Sequence, residues 1–315
     1  MIKKLILFLF TLLFMTGQAI AAGGAAEGEL KLMLDWFPNV DHLPIYVAKE
    51  KGFFAKNGIQ VEIISPSDTS DALKLAASGH VDMAVSYQPQ TLMAADQGIE
   101  VKVIAPLVVH PLTTLLFLDG KGIQSPNDLS GKKIGYTVPG LMDVLLDAFA
   151  KINNIKDYTA VNVGFTILPA LSSGQVVAVM GPFKTYETVT MAQQGYKAKF
   201  FELEKYGIPD YEELIIIAGP KAMKKKHKEL KAFVMALEKS FAYLKAHPDE
   251  ALATYLKAVP EADKDIETRA FALTKPYFAT KLGHDPVKWQ NFADFALKQG
   301  LIQNTINVKK LLITE

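Results

Sequence analysis

The chain has 315 residues, of which 34 are basic and 33 acidic, so its formal net charge is +1, and it contains no cysteine. A charge balance this even gives no electrostatic basis for binding nucleic acid or an acidic surface. The lack of cysteine excludes disulfides, thiolate metal sites, a Cys nucleophile and a lipid anchor on cysteine. The length exceeds that of one typical hydrophobic core and predicts two lobes.

The first 21 residues have the pattern of a secretory signal peptide. A basic start at residues 1–4 is followed by an almost wholly apolar run at residues 5–15, which is too short for a transmembrane helix. Ala19-Ile20-Ala21 offers a cleavage site, and we expect cleavage after Ala21 or Ala22. Without a lipid anchor, an exported protein needs an outer membrane to retain it at the cell, which predicts the periplasm.

Beyond this segment, strand-like and helix-like runs alternate, as a mainly parallel sheet flanked by helices requires. The predicted strands cover residues 30–34, 61–64, 81–85, 101–109, 113–118, 133–136, 160–165, 176–180, 198–202 and 214–218. The predicted helices cover residues 44–56, 70–78, 90–97, 141–152, 169–173 and 185–194, then 229–246, 248–256, 261–273, 287–299 and 308–312. The predicted fold class is therefore α/β.

A weak internal repeat indicates two similar lobes. Residues 73–87 and 167–183 both read as helix, Ser-Gly, strand, then a polar or aromatic loop. Extended segments at 111–119 and 212–219 would carry the chain out of the first lobe and back, forming a hinge of two strands. We therefore predict a first lobe of residues 28–115 plus 217–315, completed by the helical tail, and a second lobe of residues 116–216.

The loop after the first predicted strand is rich in aromatic and polar side chains. In an open α/β sheet, ligands bind beyond the carboxyl ends of the strands, where this loop lies. Trp36 could stack on a flat ring, while Asp41 and His42 could supply hydrogen bonds to its edge. In the alternative reading, Trp36 caps the core and the Asp-His pair is solvated.

Other candidates follow later strands. Ser86 and Tyr87 come directly after a strand, although they could equally be a turn serine and a core tyrosine. Tyr136 ends a strand before a predicted helix. Tyr186 and Glu187 lie in the first turn of another helix, where a carboxylate is also common for dipole reasons alone.

The run WFPNVDHLPIYVAKEKGFF at residues 36–54, followed by GIQVEI at 58–63, resembles the opening of the thiamine-pyrimidine binding proteins related to yeast pyrimidine synthase. The similarity extends from about residue 30 to about residue 217. The resemblance implies a type II periplasmic binding protein that captures a hydroxymethyl- or formylaminomethyl-aminopyrimidine between its lobes. It also implies delivery to the permease and ATPase of an ABC importer, no cofactor or metal, and a monomer, the usual state of this class.

The segment GPFKTYE at residues 181–187 resembles the family's aromatic-rich loop that ends in an aromatic residue and Glu. The resemblance implies that Glu187 accepts hydrogen bonds from the aminopyrimidine, which a carboxylate does best when the ring is protonated. Lys184 stands where many relatives carry an aromatic residue. This departure leaves the preferred ring substituent open.

Two alternative functions remain at this stage. The first is the yeast-like enzyme, which builds the pyrimidine from pyridoxal phosphate and one of its own histidines. By resemblance, however, its cofactor lysine and donor histidine fall on Ser86 and Gln90, and its cysteine-rich run has no counterpart near residues 214–218. The second is a receptor of the same fold for another ligand, such as riboflavin or a sulfonate. Arg269, the only arginine, lies in the helical tail, which argues against an anion held by a guanidinium clamp.

Overall fold

The computed structural model describes residues 28–313, and the predicted signal peptide at residues 1–21 lies outside this range. The described chain forms two five-stranded sheets flanked by helices, so the predicted two-lobed α/β fold is confirmed. Between residues 28 and 313, no helix combines the length and apolar character needed to cross a bilayer.

The first sheet has the strand order β2-β1-β3-β10-β4. Its strands are β1 (Gly28–Met33), β2 (Ile59–Ile64), β3 (Met83–Ser86), β4 (Lys102–Val108) and β10 (Leu214–Ala218). Strand β1 is parallel to β2 and β3, whereas β10 is antiparallel to both of its neighbours. Four strands therefore run in one direction, and the reversed strand is the one that returns from the second lobe.

The second sheet repeats this arrangement with the order β7-β6-β8-β5-β9. Its strands are β5 (Thr113–Leu118), β6 (Lys133–Tyr136), β7 (Thr159–Asn162), β8 (Ala178–Phe183) and β9 (Ala198–Glu202). Here β5 is the reversed strand, antiparallel to β8 and β9. In each sheet, the strand of opposite direction is therefore the first one that the chain forms after it crosses from the other lobe.

Twelve α-helices flank the sheets within the described residues. They are α1 (Leu43–Glu50), α2 (Phe53–Lys56), α3 (Asp71–Ser78), α4 (Gln88–Asp96), α5 (Met142–Ile152), α6 (Ile167–Ser172), α7 (Glu187–Gln193), α8 (Pro220–Lys225), α9 (His227–Ala246), α10 (Pro248–Ala258), α11 (Lys264–Thr274) and α12 (Pro286–Gln299). The helix predicted at 44–56 is divided because Gly52 adopts a left-handed conformation, with φ of 70°. The helix predicted at 308–312 is a single 3₁₀ turn, Val308–Lys310.

A buried carboxylate joins the two segments that cross between the sheets. Glu213 Oε2 accepts hydrogen bonds from the backbone N–H groups of Leu112 (2.5 Å) and Thr113 (2.7 Å), and its Oε1 accepts from the Thr113 hydroxyl (2.7 Å). The crossings lie at residues 109–112 and 203–213, so the boundaries predicted at 115/116 and 216/217 fall inside β5 and β10.

The helical tail packs mainly on the first lobe. Helices α9 and α10 cover α1, and α12 packs on α4. Trp289 and Phe292 on α12 are fully buried, so these aromatic side chains of the tail belong to the core. Helix α11 differs, because it contacts both the 3₁₀ turn Val40–His42 of the first lobe and α7 of the second. The tail therefore reaches the space between the lobes.

Candidate functional site

A cleft between the two sheets collects most of the predicted site residues. It encloses about 380 Å³, including space open to solvent. Its lining comes from the carboxyl ends of strands and the loops that follow them in both lobes. The lining residues are Asp35, Trp36, Asn39, Asp41, His42, Tyr87, Thr137, Ile167, Gly181, Phe183, Tyr186, Glu187 and Leu214.

Asp35 is the centre of a buried hydrogen-bonded cluster on the first lobe. One of its oxygens lies 2.8 Å from His42 Nε2, and the other accepts from the Tyr87 hydroxyl at 2.6 Å. The backbone N–H of Asn39 points at His42 Nδ1, at 3.4 Å. With Nδ1 used as an acceptor, the neutral ring carries its proton on Nε2 and donates it to Asp35. Both ring nitrogens are thereby engaged, so His42 orients Asp35.

Asp41 is the second carboxylate of the first lobe, and its side chain is inaccessible to solvent. Its Oδ1 accepts a hydrogen bond from the Thr274 hydroxyl of α11 at 2.9 Å. Burial raises the pKa of Asp41 to about 7, although the neighbouring His42 acts in the opposite direction. This carboxylate is therefore held by the tail on one side and borders the cleft on the other.

Aromatic rings from both lobes meet beside the cleft. The Trp36 ring lies 4.5 Å from the ring of Phe165, which belongs to the second lobe, and the Phe37 ring lies 4.4 Å from the same residue. Trp36 is only half-buried, and Phe37 is 50% exposed. A half-buried indole at the wall of a narrow cleft presents a flat apolar surface on which a heterocycle can stack.

The second lobe contributes Tyr186 and Glu187 from the start of α7. Glu187 Oε2 accepts from the backbone N–H of Phe183 at 2.7 Å, which folds the carboxylate back over the loop. Burial raises the pKa of Glu187 to about 7. The Tyr186 hydroxyl donates to Glu267 Oε1 at 2.8 Å, while Glu267 Oε2 accepts from the backbone N–H of Val40 at 2.9 Å. Glu267, on α11, thus bonds to both lobes.

Two predicted site residues, Ser86 and Tyr136, lie outside the cleft lining. The Ser86 hydroxyl is buried and donates to Gln90 Oε1 at 3.0 Å. Tyr136 ends β6, and the next residue, Thr137, lines the cleft instead. Successive side chains of an extended segment point to opposite faces, so Thr137 faces the cleft and Tyr136 does not, although the end of β6 was predicted correctly.

Lys184, the departure from the family pattern, also lies outside the lining. Its ammonium group contacts Glu202 at 3.0 Å and Glu204 at 2.9 Å, and it lies 5.2 Å from the ring centroid of Tyr277. Burial acts to lower the pKa of this lysine, but the hydrogen bonds to Glu204 and Glu202 outweigh burial and raise it. The lysine therefore belongs to an ion-pair cluster beside the cleft.

Several lining residues were not predicted. Asp35 was visible as a polar residue directly after a strand, but the neighbouring Asp41 and His42 were chosen instead. Gly181 has φ of 124°, and a Cβ there would lie 2.0 Å from the Thr137 hydroxyl oxygen, so only glycine fits. Glu267 is not a lining residue but bonds to Tyr186, which is, and it has no local sequence signal because the packing of α11 places it there.

The charge pattern of the cleft limits its ligands. Three carboxylates, Asp35, Asp41 and Glu187, lie in the lining, and no lysine or arginine is among the lining residues. A buried anion without a cationic partner is strongly disfavoured, so a further anionic group would be repelled. The arrangement suits a flat ring that carries hydrogen-bond donors.

The family model described as NMT1/THI5 like matches residues 39–251. A protein of Haemophilus influenzae named for thiamine biosynthesis is 36% identical over 304 residues, covering 95% of this chain and 96% of that protein. The chain belongs to the NMT1/THI5-like family. A second member, the formylaminopyrimidine-binding protein of Halalkalibacterium halodurans, is 32% identical and covers 82% of this chain and 80% of its own.

The NMT1/THI5-like family also includes enzymes. A 4-amino-5-hydroxymethyl-2-methylpyrimidine phosphate synthase of Saccharomyces cerevisiae is 28% identical over 287 residues, covering 87% of this chain and 84% of the enzyme. Among solved structures, the alkanesulfonate-binding protein of Xanthomonas axonopodis pv. citri has a TM-score of 0.72 at 16% identity, with 92% of this chain and 99% of that chain covered. This structural likeness establishes the fold of a periplasmic binding protein.

Proposed function

We propose that this protein is a periplasmic receptor that binds a thiamine-precursor aminopyrimidine, in its hydroxymethyl or formylaminomethyl form, and passes it to an ABC importer. The observation that carries the proposal is the composition of the cleft: Trp36, Tyr87 and Tyr186 beside three carboxylates, with no lysine or arginine in the lining. The formylaminopyrimidine-binding relative supports the same ligand class.

In the proposed complex the ring stacks on Trp36, and Glu187 accepts from the edge that carries the amino group. A ring nitrogen next to an amino group forms an amidine-like edge, which presents two parallel donors to a carboxylate when protonated. The raised pKa of Glu187, about 7, is consistent with a carboxylate that holds or shares a proton at this edge. Ligand contacts on both lobes would favour the closed state through their differential affinity.

The enzymatic alternative is disfavoured by the side chains at its two key positions. Ser86 and Gln90, on which the synthase's lysine and histidine fall by resemblance, are hydrogen-bonded to each other. Neither side chain is an amine, so no Schiff base with pyridoxal phosphate can form there. We therefore propose a receptor that is not an enzyme and carries no cofactor.

The cellular setting belongs to the same proposal. The signal-peptide pattern at residues 1–21, together with the periplasmic-binding-protein fold, supports export to the periplasm. The partners would be the permease and ATPase of an inner-membrane importer, contacted by a monomeric receptor. We propose that the hinge lies at the two crossings, residues 109–112 and 203–213, which Glu213 joins, and that the lobes are divided there and not at the predicted 115/116 and 216/217.

The test is calorimetric titration of the mature protein, refolded to remove any carried ligand. The ligands are hydroxymethyl-aminopyrimidine, its formylaminomethyl relative, thiamine, riboflavin and pyridoxal phosphate. Tight binding of either simple pyrimidine, with the other three silent, is the expected result. Binding of riboflavin or pyridoxal phosphate alone would overturn the proposal.

The role of Glu187 is tested separately by Glu187→Gln. The substitution is expected to weaken pyrimidine binding by about 1.5 to 3 kcal/mol, the usual contribution of a hydrogen bond to a charged group. Glu204→Gln, which alters a carboxylate of the neighbouring Lys184 cluster outside the lining, serves as the control. Unchanged affinity in Glu187→Gln would remove this residue from the site.

A further inference from the structure

One oxygen of Asp41 lacks a hydrogen-bond partner. Asp41 is fully buried and lines the cleft, and its Oδ1 accepts from Thr274, but Oδ2 has no partner among residues 28–313. Buried polar atoms in folded proteins are nearly always hydrogen-bonded, and each exception needs an explanation. A donor that arrives with the ligand would explain this one.

The surrounding side chains do not supply that donor. His42 is adjacent in sequence, but its ring nitrogens face Asp35 and the backbone N–H of Asn39. Tyr87 donates its hydroxyl proton to Asp35, and Tyr186 donates its own to Glu267. These three donors are therefore committed, and the other charged groups that act on Asp41, namely Asp35 and Glu187, are carboxylates. The buried Tyr255 hydroxyl has no partner within the described chain, and it does not hydrogen-bond to Asp41 either.

Asp41 is also held in place before any ligand binds. Thr274 is fully buried on α11 and fixes the opposite oxygen of the carboxylate. An acceptor that is already oriented loses little entropy when it receives a donor, so it contributes more to selectivity than a mobile one. Asp41 therefore has the position, the free acceptor and the rigidity of a selectivity residue.

We propose that Asp41 selects the ring substituent of the ligand by accepting a hydrogen bond from its hydroxyl or amide N–H group, and that Thr274 positions Asp41 for this contact. The inference rests on the proposed function, in which Glu187 accepts hydrogen bonds from the amino-bearing edge of the ring. A substituent without a donor leaves Oδ2 unpaired, which is costly in a buried site. A phosphate ester would place its negative charge beside three carboxylates, which disfavours its binding.

The first part of the test compares three ligands that share the 4-amino-2-methylpyrimidine ring. They carry hydroxymethyl, methyl or phosphorylated hydroxymethyl at the same ring position, and each is titrated into the refolded wild-type protein. We expect the hydroxymethyl compound to bind about 10- to 100-fold more tightly than the methyl compound, and the phosphate ester to bind more weakly than either. Methyl and hydroxymethyl affinities within 3-fold of each other would overturn the inference.

The second part uses variants. In Asp41→Ala, the affinities for the hydroxymethyl and methyl compounds are expected to lie within about 3-fold of each other. In Asp41→Asn, the affinity for the phosphate ester relative to the hydroxymethyl compound is expected to rise at least about 10-fold. Thr274→Val should lower the hydroxymethyl-to-methyl ratio, and Thr274→Ser, which keeps the hydroxyl, should restore it. Asp265→Asn, an exposed carboxylate on the same helix, is the matched control and should change no ratio.

The outcomes separate the two proposals. If none of the hydroxymethyl, formylaminomethyl and methyl compounds binds the wild-type protein, the proposed function itself is wrong. If both bind with equal affinity, or if Asp41→Ala keeps the wild-type ratio, the function stands and Asp41 does not select the substituent. If Asp41→Ala fails to fold, the Thr274→Val and Thr274→Ser pair decides, because an unchanged ratio in Thr274→Val overturns the inference.

Discussion

Replacing either member of the Tyr186–Glu267 pair is expected to weaken ligand binding while leaving each lobe intact. Tyr186 precedes α7 on the second lobe, and Glu267 lies on α11, which packs with the tail and the first-lobe turn at Val40. The 2.8 Å hydrogen bond between them therefore exists only when the lobes are together. Loss of this bond raises the free energy of the closed state and does not change that of an open state.

The magnitude follows from the type of bond. A hydrogen bond to a charged group contributes about 1.5 to 3 kcal/mol. At about 1.4 kcal/mol for each factor of ten, Tyr186→Phe should raise Kd about 10- to 100-fold. Among residues 28–313, two other hydrogen bonds join the lobes outside the crossings, from the Thr69 hydroxyl to the Thr137 carbonyl (2.8 Å) and from the Gln193 amide to Asp263 (3.0 Å). Because these remain, closure should be weakened and not abolished.

Tyr186 also lines the cleft, so a double-mutant cycle with Glu267→Gln is needed to isolate the pair. The cycle would be measured by calorimetry, with ligand release followed by stopped-flow fluorescence. We expect a coupling free energy of about 1 kcal/mol or more and faster ligand release in each variant. Asp265→Asn on the same helix is the control. Additive effects, or a loss of thermal stability with unchanged affinity, would refute the proposed role of this bond.

Three further predictions concern the stacking residue, the buried carboxylates and the strained glycine. Trp36→Ala should weaken pyrimidine binding by about 1 to 3 kcal/mol if the indole stacks on the ring, whereas Phe37→Ala, at a more exposed position, should cost less; calorimetry with equal losses for the two would contradict stacking. The ligand-free protein should have a lower Tm at pH 8 than at pH 5, by at least about 3 °C in scanning calorimetry, because four carboxyl groups have folded-state pKa values of about 7. These groups are Asp41, Glu187, Glu213 and Glu267. Since the folded state binds more protons than the unfolded chain between about pH 4 and 7, the free energy of unfolding must fall as the pH rises through that window, and a flat or rising Tm would contradict the assignment. Gly181→Ala should lower the free energy of unfolding in urea by more than Gly140→Ala does, because both glycines have positive φ but only the Cβ at 181 meets Thr137; equal losses would show that the clash is relieved.

Much of the fold could be predicted from the sequence because its signals are local. Strands β4, β5, β8 and β10 are largely buried apolar runs, and for β5, β6, β9 and β10 the predicted and observed ends agree. Both lobes place the loops after their strands at one cleft, which is a general property of this architecture. Trp36 and Tyr87 could be selected on that basis, whereas Glu187 was selected through the family resemblance of residues 181–187.

The remainder of the site depends on packing between segments far apart in the sequence. Glu267 acquires its role only when α11 is placed against Val40, and nothing in the sequence around it marks that contact. Phe165 meets Trp36 for the same reason. Ser86 and Tyr136 were chosen because they lie at the ends of strands. The side-chain alternation of a strand decides which of two neighbours faces the cleft, and a strand end, even one predicted correctly as for β6, does not show which of them does.

The position of β10 has a consequence for how the chain acquires its structure. This strand lies inside the first sheet between β3 and β4, and it pairs Ile215 with Ser86, although the whole second lobe separates them in sequence. The second sheet, by contrast, is made from one continuous stretch, β5 to β9. Until residue 218 is available, β3 and β4 have unpaired backbone groups in what becomes the middle of a sheet, a state prone to aggregation. We therefore expect the second lobe to fold first and the first lobe to complete its sheet late, because the pairing of strands so distant in sequence is slow.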